Sequence, residues 1–91
     1  MTAFDDAVAM LRSWVGEPVV VRLDPEGTVM HGRLTERVGA GADTALFALD
    51  GGGLTGVAVA LFRDGVGAIV RDGDQLVVEQ GRVTVTVARA G

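Results

Sequence analysis

Residues 19–35, Val-Val-Val-Arg-Leu-Asp-Pro-Glu-Gly-Thr-Val-Met-His-Gly-Arg-Leu-Thr, constrain this chain more than any other stretch. β-Branched residues dominate, the polar–apolar period is two, and Asp24-Pro-Glu-Gly27 places Pro and Gly where a type I turn accepts them. The stretch predicts a hairpin with strands near 18–23 and 28–37. Within its second strand, Met30, Gly32 and Leu34 share one face, and Val29, His31, Arg33, Thr35 and Arg37 share the other. The first face is the one expected to point inward.

A different period precedes the hairpin. Phe4, Ala7, Val8, Leu11 and Val15 recur at helical spacing and make one apolar stripe, with Trp14 at its edge. Thr2 is placed to cap the helix, Asp5 and Asp6 suit the positive end of its dipole, and Gly16 with Pro18 supplies the stop. A helix over about residues 3–15 is predicted.

After the hairpin the chain reads as all-β. Gly39-Ala-Gly-Ala-Asp43 is a loose connection, Thr44 to Asp50 a third strand, and Gly51-Gly-Gly53 a flexible corner. That corner is no phosphate-binding loop, which would need a Lys that the chain lacks. Asp64-Gly65 between Gly56–Arg63 and Val66–Arg71 predicts a two-residue hairpin turn. Asp72-Gly-Asp74 marks a further turn, and Gln75 to Glu79 leads through Gln80-Gly81 into Arg82–Ala88, where Val83, Val85 and Val87 alternate with Thr84 and Thr86. One helix and about seven short strands in a meander are expected: a mainly β single domain over 1–91, with a helix at about 3–15, a barrel of bent antiparallel strands at about 18–71 and a C-terminal hairpin at about 75–88.

The 91 residues carry a net charge of −4, and all eight basic residues are Arg. With no Lys, Asn, Tyr or Cys, the chain has the compositional gaps of a GC-rich, bacterial-type genome. Clustered positive charge is what binds a phosphate backbone, so the acidic balance argues against nucleic acid. No disulfide or thiolate metal site is possible, and a reducing cytoplasm is the default location. The acidic start is not that of a secretory leader, and no apolar run approaches the roughly 18 residues of a membrane span. A hydrophobic content of 48% is high for so small a domain. Some apolar surface is therefore expected against a partner, most simply another copy of the chain. The regular strand Arg82–Ala88, which no Pro or Lys guards, reads as the edge through which copies pair.

A capped helix, a strand of the form V-x-V-x-L, a turn Gly and then G-x-L resemble the first motif of the Sm-like family, carried here by Val19, Val21, Leu23, Gly27, Gly32 and Leu34. Leu61-Phe-Arg-Asp-Gly-Val66 resembles the second motif, with Asp64 set between Arg63 and Gly65. The resemblance covers roughly residues 4–70. It implies a small SH3-like barrel, assembly into rings by pairing of edge strands, and uridine-rich RNA as ligand, bound through an Asn, a stacking residue and the Arg of the second motif. The chain contains no Asn, so only Arg63 can take over a family role. The hairpin after residue 71 is additional to a plain Sm barrel and bears on whether a ring closes.

Few residues offer chemistry. His31, the sole histidine, has no evident second titrating group or metal-ligand partner, and Ser13, the sole serine, lacks a nucleophile context. Arg33 and Arg37 share a face with His31 and form a candidate anion patch, with Glu36 at hand to make a salt-bridged surface instead. Asp72 and Asp74 belong to a turn rather than a calcium loop. The expectation is a non-enzymatic, self-associating barrel acting as an interaction module, needing no cofactor or metal. Its alternatives are an Sm-like RNA binder using Arg63, Arg33, Arg37 and His31, and a small-ligand or metal-binding barrel, or a small enzyme, centred on His31.

Overall fold

The computed structural model describes residues 3–37, 41–50 and 57–90. The chain opens with helix α1 (Ala3–Ser13), followed by strands β1 (Pro18–Asp24), β2 (Thr28–Arg37), β3 (Thr44–Asp50), β4 (Val57–Phe62), β5 (Val66–Asp72), β6 (Gln75–Gln80) and β7 (Val83–Arg89). All seven strands form one antiparallel sheet in the order β4-β3-β2-β1-β7-β6-β5. Two meanders, β1 to β4 and β5 to β7, are thus joined side by side through β1 and β7. Among the described residues no ladder links β4 to β5, so the sheet is not closed. None of the described helices is long and apolar enough to cross a membrane.

Alternation along the strands selects the core. Val19 and Val21 of β1, Leu34 of β2, Phe47 of β3, Leu61 of β4, Leu76 and Val78 of β6, and Val85 and Val87 of β7 are all buried on one face. Phe4, Ala7, Val8, Leu11 and Trp14 of the N-terminal segment cover that face. Gly32 is required where β2 is sandwiched between its neighbours: a Cβ there would lie 2.9 Å from the Asp50 carbonyl oxygen and 2.9 Å from Leu49 Cβ. The β5–β6 and β6–β7 turns place Gly73 (φ 58°) and Gly81 (φ 63°) at the first central position, where a two-residue II′-type turn takes glycine.

Several sequence expectations are corrected. The helix ends at Ser13 rather than 15, because its exit tightens into three-residue bonds from Trp14 N–H to Leu11 O (3.0 Å) and from Val15 N–H to Arg12 O (3.3 Å). Val15 is consequently 43% exposed instead of completing the stripe, while Trp14 at the stripe's edge packs into the core. The Asp24–Gly27 turn closes from Gly27 N–H to Leu23 O at 2.8 Å, one residue wider than a type I turn. The predicted Asp64-Gly65 hairpin does not form, and β4 and β5 lie at opposite ends of the sheet. Neither Asp64 nor Gly65 has a positive φ, whereas the two-residue turn favoured by Asp-Gly needs it at both positions. At the corner Gly65 N–H donates back to Phe62 O (2.9 Å), while Arg63 N–H donates across to Asp43 O (2.9 Å). Strand β7, read as an unguarded edge, lies inside the sheet between β1 and β6. The expected Thr2 cap and the Gly51–Gly53 corner fall outside the described residues.

Candidate functional site

The corner between β4 and β5 gathers most of the polar chemistry. Arg63 Nε donates to Asp43 Oδ1 at 2.7 Å. Its terminal nitrogens fork onto Asp5 of helix α1, Nη2 to Oδ1 at 2.9 Å and Nη1 to Oδ2 at 3.3 Å, and Nη2 also donates to the Ala42 carbonyl at 3.2 Å. The guanidinium carbon sits 4.6 Å from the centroid of the buried Phe4 ring. The hydrogen bond to Asp5, then that to Asp43, holds the Arg63 pKa above the ordinary guanidinium value. A planar fork with five donors can bind two carboxylates, a carbonyl and a ring at once. Here Arg63 ties the first turn of the helix to the β4 corner. Its side chain is 29% exposed.

A second side chain acts on the same corner. Gln80, at the end of β6, accepts from Phe62 N–H through Oε1 at 2.8 Å and donates from Nε2 to the Ala60 carbonyl at 2.8 Å. Its amide thus imitates one residue of a paired strand along the outer edge of β4. A Cβ on Gly65 would lie 3.4 Å from Gln80 Cγ, an ordinary van der Waals contact, so the Gln80 reach does not depend on glycine there. No local pattern in the sequence marks Gln80, which reads only as part of a turn.

The other predicted residues stand apart. Arg33 Nη1 donates to the Gly16 carbonyl at 3.0 Å and so caps the exit from the helix. Glu36 pairs with neither Arg33 nor Arg37, as the surface reading expected, but accepts from Arg12 Nε of the helix at 2.8 Å. His31 and Arg37 are exposed, with His31 opposite Val20 of β1. Strand alternation puts His31, Arg33 and Arg37 on the face away from Leu34, while Arg63 bonds to the helix that covers the Leu34 face. The four residues do not converge on one site. Asp74 belongs to the β5–β6 turn and pairs with Arg89 (3.3 Å), which also holds Glu17 (3.0 Å). Among the described residues no three His, Asp or Glu side chains gather as metal ligands.

An open groove of about 650 Å³ lies between helix α1 and β5, lined by Asp6, Ala9, Met10, Ser13, Ile69 and Arg71. Ser13 Oγ is engaged by its own helix, donating to the Met10 carbonyl at 2.6 Å. One wall of the groove is a sheet edge, because β5 is the last strand. Val70 of that strand is 56% exposed and Phe62, at the end of the opposite edge strand, 48%. Comparison of the chain with protein-family models, curated proteins and solved structures finds no match.

Proposed function

We propose that this chain is a non-enzymatic interaction module that associates with copies of itself. It is a small β-barrel of the Sm-like kind, left open along the seam between β4 and β5. The observation that carries the reading is the edge strand β5: it contains no Pro or Lys, exposes Val70 and borders a groove. A free edge of N–H and C=O groups gains backbone hydrogen bonds on meeting another strand. The buried Val19, Val21 and Leu34 and the tightly enclosed Gly32 support the Sm-like resemblance of the β1–β2 hairpin. The family's RNA role is not adopted: no Asn is present to read a base, and Arg63 is engaged by Asp5 and Asp43.

Light scattering after size exclusion, from micromolar to millimolar protein, tests this reading. A mass above that of the 9.4 kDa monomer is expected, rising with concentration. Monomer mass throughout that range overturns it.

A further inference from the structure

We propose that two copies of the chain form a two-fold symmetric dimer by pairing β5 with β5 of the second copy, antiparallel and centred on Val70. The proposal rests on the self-association reading and specifies its edge and its symmetry. In the β5–β6 hairpin, Asp72 and Gln75 flank the two-residue turn and Val70 faces Val77. Hydrogen-bonded and non-bonded pairs alternate along an antiparallel ladder, so Asp72 and Val70 bond inward to β6 while the N–H and C=O groups of Ile69 and Arg71 point off the sheet. Among the described residues, none bonds to those outward groups.

The opposite edge is different. On β4, Gln80 already takes the outward N–H of Phe62 and the outward carbonyl of Ala60. Head-to-tail pairing of β4 with β5 of the next copy, which propagates into rings or filaments, would have to displace that amide. Pairing β5 with itself displaces nothing and closes at two copies.

The register follows from the free groups. With Val70 on the axis, Ile69 of each copy lies opposite Arg71 of the other, and each of these pairs exchanges both of its N–H···O bonds. The two Val70 side chains then meet in a non-bonded pair, with Cβ atoms about 4.5–5.5 Å apart, and cover surface that the single chain leaves 56% exposed. On the other face, Arg71 of the second copy lies over Ile69 beside the groove, whose helical wall carries Asp6. Positive charge from one copy thereby approaches negative charge on the other.

Charge substitution at the axis tests the geometry. Val70→Asp and Val70→Lys each place like charges opposite one another, while the exposed position leaves the fold intact, which circular dichroism and thermal melts verify. Wild type is expected as a dimer by light scattering, each variant alone with its dimer dissociation constant raised at least tenfold, and an equimolar mixture as a salt-sensitive heterodimer. Variants that dimerise as wild type does, or a mixture that remains monomeric, overturn the β5 assignment. A wild-type ring or larger assembly overturns the two-fold dimer while leaving self-association standing. A wild-type monomer overturns both.

Discussion

Replacing Leu11 with Ala isolates how firmly the helix is docked. Leu11 is fully buried between the helix and the sheet, in the same cluster as Trp14, Leu34 and Phe47. A buried Leu→Ala change costs from about 2.7 kcal/mol where neighbours collapse into the space, and each ~40 Å³ of void left unfilled adds about 1 kcal/mol. Collapse is restricted here because the helix is tied at both ends. Its first turn is held through Asp5 and Arg63, its last through Arg12 and Glu36, and its exit through Gly16 N–H donating to Leu34 O at 2.8 Å. The expected loss is therefore about 3.5 kcal/mol, a Tm drop on the order of 14–28 °C for a domain of this size. Urea unfolding followed by Trp14 fluorescence measures it, with Val15→Ala as an exposed control expected to stay within about 0.5 kcal/mol of wild type. A loss for Leu11→Ala below about 1 kcal/mol with an unchanged m-value would refute the docking argument, since a surface residue behaves that way.

Gly32→Ala should cost about 1–3 kcal/mol, because the new methyl group meets the Asp50 carbonyl and Leu49 Cβ, which can yield only if β2 and β3 shift apart; a melt indistinguishable from wild type would contradict that close approach. Arg63→Ala should lower the Tm, by less as ionic strength rises. Because hydrogen bonds to Asp5 and then Asp43 raise the folded-state pKa of Arg63, its contribution is fully present below the unfolded-state pKa and is lost only at strongly alkaline pH, so the gap between variant and wild type should not change from neutral to mildly alkaline pH on account of Arg63 itself. Gln80→Ala frees the outer edge of β4 and should move the assembly towards larger particles in light scattering, with an unchanged mass showing that the amide guards nothing. Oligo-uridine should not bind at physiological salt; submicromolar binding that Arg63→Ala abolishes would restore an RNA role.

What was legible in the sequence is whatever short-range chemistry dictates. The stripe of Phe4, Ala7, Val8 and Leu11, the alternation in Val19–Leu23 and Val83–Val87, and the glycines at residues 27, 73 and 81 each express a constraint among residues a few positions apart, and helix, strands and turns appear where those patterns place them. The same local reading went astray at Asp64-Gly65, where the dipeptide's turn preference was outweighed by pairings made elsewhere: β4 with β3, β5 with β6, and the freed Phe62 N–H with Gln80 18 residues away. Tertiary structure alone decided that β7 joins β1, turning a presumed edge into the middle of the sheet, and that Arg63 meets Asp5 across 58 residues of chain. Such contacts leave no periodic trace. They depend on which edges remain unsatisfied after the nearer pairings form, a property of the assembled sheet that no single segment carries.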